Sequence, residues 1–239
     1  MAGMLINRSH WGLLAVAAWM VTGCAGFAVL QAEKNVEQAI PSDTPENRRS
    51  VHADLIRGMI EGKQYYAAIA HIEAQVASTG STPQLRLFEA EARRKLGQGA
   101  QAQQIYRELL KEPEYVAEAY YGLGLISASS DLAVSTWQLQ QAVNRRPADA
   151  DMRNDLGYAL MLSQRYQEAL TELATAVELE AGSGSAKARN NLIVLMMVTG
   201  DERAVRRLAA ESAMSESSLK KLRQQAQSIS RSSAGRGNS

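Results

Sequence analysis

The stretch Asn154-Asp-Leu-Gly-Tyr-Ala-Leu-Met-Leu162, closed by Ser163-Gln-Arg165 and followed by Tyr166-Gln-Glu-Ala-Leu-Thr-Glu-Leu-Ala-Thr-Ala-Val-Glu-Leu179, decides the fold. Its apolar residues recur at spacings of three and four, the period of an amphipathic α-helix, and the alternation of a β-strand is absent. The polar break between Leu162 and Tyr166 divides it into two helices joined by a short turn. Gly157, Ala169 and Ala176 are small residues set among the large Leu156, Leu160 and Leu173. Small residues at facing positions let two antiparallel helices approach closely, because side-chain size at the contact sets the interaxial distance. The unit from Ala150 to Ser183 is thus read as one helical hairpin of 34 residues.

Working outward, the same arrangement recurs. Residues 117–149 carry Tyr120, Leu123-Gly124, Ser135, Leu139, Ala142 and Pro147, with one residue fewer in the turn at Ser127 to Asp131. Before it stand Phe88, Ala90, Gly97, Ala102, Tyr106, Leu109 and Pro113, and before those Leu55, Met59, Gly62, Tyr65, Ala68 and Ile72. The small residues of the second helices, Ala68, Ala102, Ser135 and Ala169, are spaced by 34, 33 and 34. A fixed period of this size marks stacked supersecondary units, none of which buries its apolar face alone. In its length and in Leu156, Gly157, Leu160, Ala169, Leu173 and Ala176, the unit resembles the tetratricopeptide repeat. A further pair runs from Ala188 to Val198 and from Glu202 to Ala213 across Thr199-Gly-Asp201. Ser215 to Ser230 reads as a terminal helix with Leu219, Leu222, Ala226 and Ile229 on one stripe, the cap that an end repeat needs. The expected fold is all-α, a tetratricopeptide-repeat superhelix of about five helical pairs with a C-terminal capping helix over residues 51–230. The tail, 231–239, is expected to be disordered.

The first residues read as an address. Residues 1–23 hold no acid and one strong base, Arg8, before the apolar run Trp11-Gly-Leu-Leu-Ala-Val-Ala-Ala-Trp-Met20. That is the design of a secretory signal. It ends in Val21-Thr-Gly-Cys24, which resembles the bacterial lipobox and accounts for the single cysteine of the chain. The resemblance implies cleavage before Cys24 and its lipidation. Residues 31–50 are polar, with Pro41 and Pro45, and read as a tether or a short helix leading to the domain, so that 24–50 is the lipidated tether. Ala25 in place of Asp implies, by resemblance to the sorting rule of enteric bacteria, the periplasmic face of the outer membrane. The alternative is an uncleaved inner-membrane anchor, since Trp11 to Leu30 is twenty uncharged residues.

Composition narrows the function. Among 239 residues, 46% are hydrophobic and 21% charged, which excludes wholesale disorder. The net charge of +1 gives no global attraction to nucleic acid. One cysteine and the three histidines His10, His52 and His71 supply no recurrent metal-ligand spacing, so neither metal nor cofactor is expected. Gly122-Leu-Gly124 follows a helix rather than a strand, and Gly182-Ser-Gly-Ser185 carries no lysine, so neither is a phosphate-binding loop. Asp149, Asp151 and Asp155 stand at a helix start, where acids complement the dipole. No catalytic set emerges, and the chain is read as an interaction protein rather than an enzyme.

The repeat resemblance implies a concave groove lined by first helices. Carried onto this sequence it comprises Tyr121 and Leu125, then Asn154, Tyr158, Met161 and Leu162, then Asn190, Val194 and Met197. The asparagines could bond a partner's backbone or merely stiffen neighbouring turns, while Tyr158 and the methionines offer an adaptable apolar floor. The clamp by which chaperone-binding repeats hold a terminal carboxylate is not reproduced, so an apolar helix or strand is the expected ligand. Asn154 to Tyr166 and Ala188 to Asp201 together resemble TadD, the lipoprotein family of the Tad apparatus that builds Flp-type pili. The resemblance implies a pilotin-like role toward an outer-membrane secretin as protein partner. The alternatives are a type IV pilus pilotin or a general periplasmic scaffold for cell-wall or outer-membrane assembly factors. Replacing Cys24 with Ala is expected to release the protein from the outer-membrane fraction while its melting temperature stays unchanged. Continued co-fractionation with that membrane would refute the lipid anchor.

Overall fold

The computed structural model describes residues 44–181 and 186–236. The chain divides into two compact units, residues 1–52 and 53–239. Of the first unit only the opening of a helix lies among the described residues. The apolar segment 11–30 and Cys24 lie outside them, and no helix among the described residues is long and apolar enough to cross a membrane.

Everything regular among the described residues is helical. Five hairpins follow one another: α1 (Pro45–Glu61) and α2 (Tyr65–Thr79), α3 (Pro83–Lys95) and α4 (Gly99–Leu109), α5 (Val116–Ser127) and α6 (Leu132–Arg145), α7 (Ala150–Leu162) and α8 (Tyr166–Leu179), α9 (Lys187–Thr199) and α10 (Glu202–Glu211). A terminal helix, α11 (Glu216–Arg236), closes the series, and a 3-10 turn at Pro113–Tyr115 leads into α5. From α2 to α10 each helix packs on its neighbours in sequence, α3 also touches α5, α7 touches α9, and α9 touches α11; Ile56 and Ile60 of α1 share a core cluster with Ala68 and Ile72 of α2. First helices therefore stack on first helices, and α11 takes the place that the first helix of a sixth hairpin would occupy. This is the expected α-solenoid of five pairs and a cap. Two boundaries differ from the sequence reading. Helix α1 starts at Pro45, where a missing N–H costs nothing at a helix start, and α11 runs on through Ser230 to Arg236, into the stretch expected to be disordered.

The packing repeats at atomic detail. A Cβ placed on Gly157 would sit 2.7 Å from Cγ of Leu173, and one on Gly124 would sit 2.7 Å from Cγ of Leu139. In both pairs the backbone nitrogen of the leucine is only 3.2 Å away, so the second helix itself presses against the first. Leu139, Leu173, Ala102, Ala169 and Ser135 are all buried, and burying each leucine contributes about 2 kcal/mol. Ser135 is the one polar member of the small-residue series, and its hydroxyl donates to the Gly124 carbonyl at 2.8 Å across the same contact. Helix α4 departs from the pattern. Its equivalent of Leu139 and Leu173 is Tyr106, facing Ala90 rather than a glycine. The ring reaches the following hairpin, where a Cβ at Gly122 would fall inside it. Helix α5 is thus squeezed on two sides, by Tyr106 at Gly122 and by Leu139 at Gly124.

The turns within hairpins repeat as well. Lys63, Gly97, Gln164 and Gly200 each have positive φ, between 60° and 79°. The α5–α6 turn, shorter by one residue in the repeat, has no such position and instead uses Asp131, whose carboxylate accepts from Val134 N at 3.0 Å as an N-cap. The Gly157→Leu variant is expected to lose about 1 to 3 kcal/mol through overpacking, read as a lower denaturation midpoint in urea. Unchanged stability would mean that α7 and α8 do not meet at Gly157.

Candidate functional site

A hollow of about 600 Å³ opens where α3, α5 and α7 line up and the start of α9 approaches. Tyr121 and Leu125, both half-buried, line it as expected from the sequence. The rest of its wall differs from the adaptable apolar floor that was anticipated. Asp155 on α7 is its organising group. The Tyr121 hydroxyl donates to one Asp155 oxygen at 2.6 Å, and Asn154 Nδ2 donates to the other at 2.7 Å. Lys187, at the start of α9, reaches Asp155 at 2.9 Å and Asp151 at 3.1 Å. Three first helices are tied together through these few atoms. Asp149 serves as N-cap of α7, accepting from Met152 N at 2.9 Å, so the acids read as dipole partners divide into one cap and two ion-pair members.

The remaining expected groove residues fall in several places. Asn154 is fully buried; besides bonding Asp155 it accepts from Asn191 Nδ2 at 2.8 Å, so it bridges α7 and α9. Of the two readings of Asn154, the stiffening one matches this geometry, because its amide is already engaged. Met161 and Val194 are also fully buried and belong to the core, since α9 and α11 cover those faces. Tyr158 and Met197 are partly buried against that core, and Met197 borders a second hollow beside Arg223 and Arg231 of α11. Leu162 lines a third, formed with Trp137 and Thr136 of α6. Asn190 is half-buried and its backbone N–H continues the helix. The nine expected residues therefore do not form one surface.

The sequence reading missed Tyr106, Arg94, Glu118, Arg146 and Lys187, which share the first hollow with Tyr121. Glu118 and Arg146 form an ion pair through Oε1. The second oxygen, Oε2, is buried without a partner, as is Nε of Arg94. A signal for Tyr106 was present, since an aromatic stands in α4 where the other second helices carry Leu139 and Leu173. The bases carried no such signal, because a charged residue on a helix reads as solvated until a neighbouring helix covers it.

Electrostatics follow from this burial. Burial pushes the Tyr106 hydroxyl up to about 12, against the pull of the Arg94 guanidinium beside it. Tyr121 is pushed well above the ordinary tyrosine range, first by burial and then by the Asp155 carboxylate, which accepts its hydrogen bond. Burial alone would lower Lys187, but the Asp155 and Asp151 carboxylates outweigh it and hold it raised and charged. The two tyrosines stabilise the fold in their neutral form. That contribution is complete below the ordinary tyrosine value of 10.0 and is lost as pH rises through the raised values.

Comparison with known proteins agrees with the fold. The tetratricopeptide repeat family matches residues 131–209. A TPR repeat-containing protein of Pseudomonas aeruginosa is 28% identical over 196 residues, covering 82% of this chain and 75% of its own length. Among solved structures, a thermophilic TPR protein of Thermus thermophilus superposes with a TM-score of 0.56 at 19% identity, covering 75% of this chain and 97% of its own. MamA from Desulfovibrio magneticus RS-1, residue 41 to its end, gives a TM-score of 0.53 at 16% identity, with coverages of 68% and 91%. At such identities the structural likeness carries the fold alone.

In thermal melts between pH 9 and 12.5 the melting temperature is expected to fall above pH 10, and to fall less steeply in Tyr106→Phe and Tyr121→Phe. Parallel pH profiles for the variants and the parent chain would contradict the burial assigned to these hydroxyls.

Proposed function

We propose that this chain, an α-solenoid whose hairpins are similar to tetratricopeptide repeats, is a scaffold for binding other proteins: a lipid-anchored assembly factor of the outer membrane, pilotin-like, acting on the secretin of a Tad machine that builds Flp-type pili. The observation that carries the binding part is the α3–α5–α7 hollow, which is roomy and braced by the Tyr121–Asp155–Lys187 network. A braced wall lowers the ordering cost of binding. Support for the anchor comes from Val21-Thr-Gly-Cys24, and for the machine from the likeness of residues 154–166 and 188–201 to TadD. Several acyl chains at Cys24 would hold the protein durably at the bilayer, where one would not. The solenoid would then present its hollow to a segment of the secretin and escort or stabilise that subunit during assembly. No turnover is required of it.

The test is photo-crosslinking in living cells from a benzophenone amino acid at Leu125, with the captured protein identified by mass spectrometry. Capture of a secretin is the expected result. Capture of a cell-wall enzyme or an outer-membrane assembly factor would replace the pilotin reading with that of a general scaffold.

A further inference from the structure

The last two helices carry a charge that the rest of the solenoid does not. From Arg203 to Arg231 the chain holds seven bases and two acids, whereas residues 53–202 hold fourteen bases and nineteen acids. On α10, Arg203, Arg206 and Arg207 are exposed while Ala204 and Val205 are buried. On α11, Lys220, Arg223, Gln227 and Arg231 follow one another at spacings of three and four, which places them on one face of the helix, and Lys221 stands beside them. The opposite stripe of α11, with Ala226 and Ile229, packs into the same core cluster as Ala204 and Val205. Both helices rest on α9, so both turn their bases outward. All seven bases are exposed, and none of them makes an ion pair among the described residues. Between α9 and α11 the basic face dips into a hollow of about 520 Å³, walled by Arg223, Arg231, Gln227 and Ser230, with Glu202 as its one acid.

The composition of this face decides what it fits. A stable protein interface is built around apolar or aromatic anchors at its centre. Among the described residues neither α10 nor α11 exposes a large apolar side chain. What the face offers is positive charge spread along α11, over about 17 Å from Lys220 to Arg231, among glutamine and serine. A plane of lipid phosphates matches it, being negative, extended and in no need of an apolar pocket. We propose that the outward faces of α10 and α11 rest on an anionic phospholipid surface, with headgroup phosphates accepting from Lys220, Arg223 and Arg231. Resting on the reading of this chain as membrane-attached, the proposal adds which side of the solenoid meets the bilayer. An anchor at Cys24 alone leaves the solenoid free to swivel, and a polybasic face is a second contact that fixes its orientation.

For the test, the full chain is reconstituted in nanodiscs of phosphatidylcholine, alone or mixed with phosphatidylglycerol. A benzophenone amino acid replaces Gln227 on the basic face or, as the comparison, the exposed Gln167 on α8. After irradiation, mass spectrometry reads lipid adducts on the intact chain. Adducts with phosphatidylglycerol are expected at 227 and not at 167. The combined variant Lys220→Gln, Arg223→Gln, Arg231→Gln is expected to lower their yield about tenfold or more, since each base near an anionic surface is worth about a fivefold factor in binding. Raising the salt is expected to do the same in the parent chain, which checks the result without any substitution that could disturb the fold. Co-elution with the discs reads membrane attachment by itself. If the chain co-elutes but its adducts at 227 are no more frequent than at 167, or ignore salt and the variant, attachment stands and the basic face is wrong. Capture of an acidic protein by the same probe in living cells, with no lipid adduct, would likewise overturn the lipid contact. If the chain elutes apart from both kinds of disc, the basic face and the membrane attachment fail together.

Discussion

The contact of glycine on a first helix with leucine on the second is what the rest of the structure depends on. At Gly124–Leu139 and Gly157–Leu173 the helices are so close that a single added carbon has no room. Such proximity brings many atoms into dispersion contact and lets each hairpin bury its apolar stripe without voids. It also fixes the axial register of the two helices, because the leucine can enter only where the glycine opens a gap. Register inside a hairpin then fixes which residues face the next one, so the geometry propagates along the solenoid.

The charged hollow is a product of that propagation. Tyr121 and Asp155 meet because successive first helices stack side by side, Asp155 standing one residue past Asn154, the repeat equivalent of Tyr121. Asn154 and Asn191 meet for the same reason one helix further on. These bonds run across the stack while the glycine–leucine contacts run within hairpins, so the two sets brace the solenoid in different directions. Inside the hollow a low local dielectric strengthens each polar contact and makes each missing one costly. Outside this network, Arg94 Nε and Glu118 Oε2 are buried without a hydrogen-bond partner.

Helix α4 shows how a deviation in the repeat becomes a feature of the site. With Ala90 opposite it in place of a glycine, Tyr106 cannot enter the gap that Leu139 and Leu173 fill in their hairpins, and the ring goes to Gly122 instead. The deviation is visible in the sequence, but its destination is not, because nothing local says which neighbour will make room. Gly122 and Gly124, two residues apart, could be recognised as no phosphate loop, while their service to two different helices appears only when α4, α5 and α6 are seen together. Met161 and Val194 make the converse point. Both lie on first helices and are buried because α9 and α11 cover them, a consequence of the stack rather than of their own helix.

What the sequence by itself determined is whatever repeats. The helical period, the 34-residue spacing, the small residues facing large ones and the polar cap after the fifth hairpin are local or strictly periodic, so one chain displays them several times over. The tertiary structure alone decided the chemistry of the hollow. Asp155 reads as a helix-dipole acid and Lys187 carries no signal in the sequence, since the meaning of a charge depends on what stands beside it. Only the approach of α5, α7 and α9 turned these residues into one network of ion pairs and hydrogen bonds. Backbone period is written in the order of residues, whereas desolvation is a property of the assembled stack.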